Sequence, residues 1–406
     1  MNEERELRSR LEELDVPPSR VEMDEVLRAG RKRSARRTTT RAATGAAVAI
    51  GLLLGAPPVL SAAWNDVKVD VGPSTSVSPS VDPDLPVDPT PTRSARTGPI
   101  ACQMRTLPVP KGLSGVEITA VDPAGKYIVG NATTKQNFKP ILWTGGKAQA
   151  LSIPGKSVQL SDVNAAGQVV GMITIGNEDY PFRWQNGSYQ MLKLPAGDWH
   201  AYPVPRINAG GEVVLNVEPK GNTGGKDSFA IVWTAGSTKA TKVPLPKGAN
   251  ALDINDDGTL VGAIYEGEQG ATGAWAWDQQ GRGRELKPDA GETAAGYHTQ
   301  GDWAAGGLWP SMEPGLWNLR TGKLTHLKTP PDADLAPAMD GVGAADAVNA
   351  LGWVVSGGYV LLEDGPLKLP VPAGRTAWAS AVADTGLVAG TLKNDVYNLG
   401  VAVWQC

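Results

Sequence analysis

The chain has 406 residues with 49 Gly and 32 Pro, a composition suited to many short strands joined by turns rather than to long helices. Its net charge of −4 supplies no basic surface, so no nucleic-acid partner is expected. Two cysteines and three histidines are too few for a clustered metal centre, and no cofactor-binding motif appears.

Residues 1–41 read as a cytoplasmic tail with short helices. Leu7, Leu11 and Leu14 recur at helical spacing, Pro17-Pro18 ends that turn, and Ser19 with Glu22 forms a capping box for a second helix to about Gly30. A basic run from Arg28 to Arg41 precedes the uncharged stretch 42–63. That stretch is long enough to span a bilayer at ~1.5 Å per residue. Basic residues on its N-terminal side place the tail inside the cell membrane and the rest of the chain outside, as a single-pass protein. A second reading stays open: Ser61-Ala62-Ala63 resembles a small-residue cleavage site, which would make the chain secreted after cutting near Ala63. Residues 64–99 are rich in Pro, Ser, Thr and Asp without hydrophobic periodicity, and are expected to form a disordered, extended linker.

From residue 100 onward the sequence repeats itself. The segments 162–171 (DVNAAGQVVG), 206–216 (RINAGGEVVLN), 253–262 (DINDDGTLVG) and 347–357 (AVNALGWVVSG) share one pattern: strand, turn centred on Gly, strand. Segments 120–130 and 381–390 are close relatives, and 297–306 is a degenerate copy. The turn glycines are Gly125, Gly167, Gly211, Gly258, Gly301, Gly352 and Gly386. A third strand follows, closing on Trp143, Trp184, Trp233, Trp277, Trp317 or Trp404, with YVLL at 359–362 in the sixth copy. A fourth strand carries a Leu/Pro signature, as in 150–155 (ALSIPG) and 191–197 (MLKLPAG). Four strands every ~34–50 residues is the spacing of propeller blades. The expected fold is therefore all-β, a seven-bladed β-propeller over 100–406. The weak fifth copy leaves six or eight blades open.

The seventh copy stops after its third strand, at Cys406. The missing strand is present at the other end, where 102–112 carries the Leu/Pro signature with no three strands before it. The N-terminal strand is expected to complete the last blade. A disulfide between Cys102 and Cys406 would then stand where other blades have a hairpin turn. With their Asn-centred turn, Val-Val-Gly strand and Ala-x-Trp strand, residues 113–406 resemble the extracellular HAF-type repeats of bacterial envelope proteins. That resemblance implies a propeller outside the cytoplasm. It implies no activity and no catalytic residues.

Chemistry is sparse. His200, His298 and His326 are scattered, and no catalytic elbow or phosphate-cradling loop occurs, so no catalytic residue is assigned. Asp253, Asn255 and Asp257 match the opening of a calcium loop, but Ile264 stands where its bidentate Glu belongs. Sister turns without these acids read as ordinary turns, so calcium stays the weaker reading. The loops between second and third strands vary widely while the turns between first and second barely change. Variable loops on a rigid scaffold are where binding usually resides. That face collects Trp199, His200, Tyr202, Tyr297, His298 and Trp378 as ligand-binding candidates, though all six also suit blade packing. The expected function is an extracytoplasmic binding or scaffold module, monomeric and tethered to the membrane, recognising a cell-wall glycan, peptide or protein. A propeller hydrolase or lyase, and a sensor signalling through the tail, are the alternatives.

Overall fold

In a computed structural model the described residues are 101–406, apart from 136, 203, 222–226, 266–269, 331–341 and 395–397. The tail, the apolar stretch and the linker all lie outside them. Among the described residues every regular element is a strand, and the strands form seven separate antiparallel sheets.

The sheets are the seven blades of a propeller. The second is representative: Ser157–Val163 is innermost, followed by Val169–Ile175, Glu178–Gln185 and Ser188–Met191. The degenerate fifth copy is a regular blade, in which Thr293–Gln300 turns at Gly301 into Trp303–Trp309. Closure follows the sequence expectation. Gln103–Thr106 is the outer strand of the last blade and pairs in register with Asn398–Gln405, Gln103 opposite Gln405. Cys102 and Cys406 are joined by a disulfide at the end of this pair.

The core lies between blades rather than at one centre. Each repeat Trp faces the preceding blade: Trp233 packs on Val170, Met172 and Leu192, and Trp317 on Val261, Ala274 and Leu286. In four blades the indole N–H also reaches back to a carbonyl there. Trp143 donates to Pro108 at 2.7 Å, Trp233 to Lys193 at 3.1 Å, Trp317 to Lys287 at 3.0 Å and Trp404 to Pro370 at 2.8 Å. Each acceptor directly follows a buried leucine (Leu107, Leu192, Leu286, Leu369). The Leu/Pro signature is thus a receptor for the next blade's tryptophan, with Leu as apolar contact and the following carbonyl as acceptor. In the sixth blade Leu361 takes the tryptophan's place opposite Val354.

The turn asparagines tie the constant-turn face together. Asn164 donates through Nδ2 to Asn208 O at 3.0 Å, Asn208 to Asn255 O at 3.1 Å, and Asn255 to Gly301 O at 2.7 Å. Asn349 does the same to Ala383 O at 2.9 Å. An amide suits this position because it donates to the next blade while its own oxygen accepts turn N–H groups, as Asn164 does from Ala166 and Gln168.

Candidate functional site

Among the described residues, two places bring chemically active side chains together. The first lies in the central channel, at the constant-turn end. Five inner strands carry a β-bulge two or three residues before their turn. At the position two residues before the turn residue, the seven blades carry Ala120, Asp162, Arg206, Asp253, His298, Ala347 and Ala381, each opposite the same position of its second strand. Four adjacent blades thus place Asp, Arg, Asp and His side by side, with alanines across the channel. These four line a cavity of about 80 Å³.

The carboxylates there are largely committed to the fold. Asp162 accepts the N–H groups of Val163 and of Ile207 in the next blade. Asp253 likewise accepts from Ile254 and from Thr299 in the next blade. Burial pushes the Asp253 carboxyl up to about 7 against the attraction of Arg206, and raises Asp162 as well. His298 Nδ1 lies 3.7 Å from Asp253 Oδ2, and burial, then Arg206, hold its imidazole well below its usual range. Two mouth residues, Asp256 and Asp384, cap the neighbouring turns by accepting from Ala209 and Ala350.

The pair has a calculable effect on stability. Folding lowers the proton affinity of His298 and raises that of Asp253, so the folded pair tends to hold its proton on Asp253 where the unfolded chain holds one on His298. Their contributions to the pH slope therefore oppose one another. Asp346 has no such partner: burial raises it to about 7, opposed by the Gly357 N–H and Lys393. Its folded form keeps a proton that the unfolded form loses above about pH 4, so stability falls as pH rises from there to about 7. Asp346→Asn is expected to come closest to wild type below about pH 4 and to be more stable at pH 7.5 by about 2–4 kcal/mol in urea titrations. His298→Leu should steepen the fall with pH, because Asp253 then titrates without compensation. Equal slopes in wild type and both variants would contradict these assignments.

The second place is a cleft of about 730 Å³ between the second and third blades, on the variable-loop face. Its floor includes Met191, Leu192, Leu194 and Trp199, and its rim includes Glu178, Asp179, Asp198, His200 and Lys220. Lys220 spans the mouth, with Nζ 3.0 Å from Glu178 Oε1 and 2.9 Å from Asp198 Oδ1. Those two hydrogen bonds push the lysine up to about 12, so it stays charged. Tyr180 donates to Glu178 Oε2 and Thr174 to Asp179 Oδ1, each at 2.6 Å, which fixes both acids. Trp199 is held from two sides: its indole N–H donates to Ala196 O at 3.1 Å and its ring meets Phe229 edge-on at 4.9 Å. Gly197 has φ 131° and lies against that ring, where a Cβ would come within 2.6 Å of the indole nitrogen.

The sequence-derived candidates divide among these places. Trp199 and His200 line the cleft. Tyr202 is turned toward Glu218, with its hydroxyl 3.3 Å from Oε2. Tyr297 is buried against Trp309 at 6.2 Å. His298 lies at the constant-turn end of its strand, in the channel, and not on the variable-loop face. Trp378 is half-buried, with the Lys393 ammonium 4.6 Å over its ring. Of the calcium candidates, Asp253 is engaged as above and Asp257 accepts the Thr259 N–H, while Asn255 donates through Nδ2 to Gly301 O and its buried Oδ1 has no hydrogen-bond partner. Among the described residues no three His, Cys, Asp or Glu side chains converge to hold a metal. Sequence reading missed Asp162, Arg206 and the cleft acids. The channel set was detectable by stacking the repeats at one register. The cleft set was not, because its members come from non-equivalent loop positions.

No family model matches the chain, and no curated protein does. Solved structures do resemble it. Virginiamycin B lyase from Staphylococcus aureus aligns with a TM-score of 0.50 at 13% identity, covering 75% of this chain and 99% of its own. Oligogalacturonate lyase from Vibrio parahaemolyticus aligns with a TM-score of 0.50 at 11% identity, over 75% and 97%. At such identities the likeness is one of propeller fold alone.

Proposed function

We propose that this chain is a membrane-tethered binding module of the cell envelope, whose ligand occupies the cleft between the second and third blades. The cleft carries this reading. It joins an apolar floor to a fixed polar rim on the face where the loops vary, the usual make-up of a ligand pocket. The tether rests on the basic run before the uncharged stretch 42–63 and on the linker composition. Chain direction supports the same arrangement. The N-terminal segment reaches the propeller at Cys102, on the constant-turn face, so the cleft opens on the face opposite the attachment point. The test is retention of the full-length protein on isolated cell-wall material. Wild type is expected to be retained and Trp199→Ala to lose at least tenfold in retention, with Trp378→Ala unchanged. Equal retention of Trp199→Ala and wild type would remove the cleft from the reading.

A hydrolase or lyase is the second reading, favoured by Asp253, His298 and Arg206 meeting in the channel. It is the lesser one because both oxygens of Asp253 already accept backbone N–H groups and the cavity is only about 80 Å³. Turnover of wall polysaccharide that disappears in His298→Ala would reverse this order.

A further inference from the structure

Granted that the cleft between the second and third blades is the ligand site, its chemistry narrows the ligand. We infer that it binds an uncharged sugar ring of a glycan, with the ring's C–H face on Trp199 and Leu194 and its hydroxyls on Glu178, Lys220 and Asp198. Three observations lead there.

The first is the division of the surface. Met191, Leu192, Leu194 and Trp199 are buried or half-buried, whereas Glu178, Asp179, Asp198 and Lys220 are exposed. A pyranose has the same division, an apolar C–H face and a rim of hydroxyls. A wholly apolar ligand would leave the mouth's charged groups unmatched after desolvation.

The second is the state of the polar groups. Glu178, Lys220 and Asp198 hold one another at 3.0 and 2.9 Å, and Tyr180 fixes Glu178 from behind. The array is therefore pre-oriented, and little side-chain entropy remains to be lost on binding. Each carboxylate keeps spare lone pairs and Lys220 a third N–H, so donors and acceptors alternate along the rim. Hydroxyls, which donate and accept at once, fit that alternation. An ammonium or carboxylate ligand would have to displace one member of the triad.

The third is charge. Glu178, Asp179 and Asp198 outnumber Lys193 and Lys220 among the lining residues, so the cleft carries a small negative excess. An anionic polymer such as a polyuronate or polyphosphate is repelled. This separates the chain from its structural neighbour named for oligogalacturonate: the fold is alike, but this cleft is charged against such a ligand.

The experiment titrates the full-length protein with three hexasaccharides, of N-acetylglucosamine, glucose and galacturonate, following tryptophan fluorescence and saturation-transfer NMR. At least one neutral hexamer is expected to bind, and the galacturonate hexamer to bind at least tenfold more weakly. Lys220→Met and Asp198→Asn should each weaken the neutral sugar at least tenfold with an unchanged melting temperature, since both side chains are exposed. Galacturonate binding best, or sugar affinity unmoved in both variants, would overturn the inference. Failure of every sugar while wall retention still depends on Trp199 would also overturn it, pointing to a peptide and leaving the cleft assignment intact. Loss of the Trp199 dependence itself would instead sink the cleft reading.

Discussion

Replacing Cys406 with serine is expected to destabilise the propeller by ~5–6 kcal/mol, the chain-entropy value for a cross-link between residues 304 apart. The local structure explains why the ring depends on this bond. The closing strand Gln103–Thr106 has four residues, all exposed or half-buried, at the outer edge of the last blade. Beyond it Leu107 continues the ladder to Val401 O, and Pro108 O accepts the Trp143 indole of the first blade. If the strand peels away, the first blade loses its acceptor as well as a neighbour. The disulfide sits at the end where peeling would start, beside the Gln103–Gln405 pair. Urea titration with and without reductant measures the cost, and hydrogen exchange of the Asn398–Gln405 amides should rise on reduction. A loss below about 1 kcal/mol would mean that the four-residue strand closes the ring unaided.

Much of this architecture was legible in the chain because a repeat states its own rules seven times. Blade number, closing strand and cysteine pairing all followed from one periodic pattern. The degenerate fifth copy was legible only in part. Its turn has Gln300 where four sister turns have Asn, so the run of asparagines from the second blade ends on the Gly301 carbonyl. Individual side-chain positions were harder. Tyr297 and His298 are adjacent, yet one is buried against Trp309 and the other meets the channel, and a bulge falls between Gly296 and His298. Alternation alone cannot place residues across such a shift. The cleft was illegible for another reason. Glu178, Asp198 and Lys220 come from three different connections, and only the angle between neighbouring blades brings them within 3.0 Å.

The glycine of the Val-Val-Gly strand offers the sharpest test of that bulge. Gly262→Ala is expected to cost about 4 kcal/mol or more, near the upper end of single substitutions. A Cβ there would lie 1.9 Å from Asn250 O and 2.9 Å from its carbonyl carbon. Both atoms are main chain, so no rotamer change relieves the overlap. The equivalent glycines meet the same obstacle: Gly130 the carbonyl of Glu117, Gly171 that of Gln159, Gly306 that of Ala295 and Gly390 that of Trp378. These five blades are the ones with a bulged inner strand. The two exceptions support the link. The third blade has Leu215 at this position and an inner strand split into Trp199–Ala201 and Arg206–Ile207, while the sixth has Ser356 and only Ala347–Val348. Glycine and bulge therefore occur together, and in the fourth blade the bulge lies directly before Asp253, which accepts the Thr299 N–H. Gly210→Ala is the control. The sister turn carries Ala166 there and a Cβ would meet only Asn208 Oδ1 at 3.4 Å, so it should lie within about 0.5 kcal/mol of wild type or slightly above it. Thermal and urea unfolding of the two variants separate the cases: if Gly262→Ala is as stable as Gly210→Ala, close approach to the bulged strand is not what keeps glycine in the repeat.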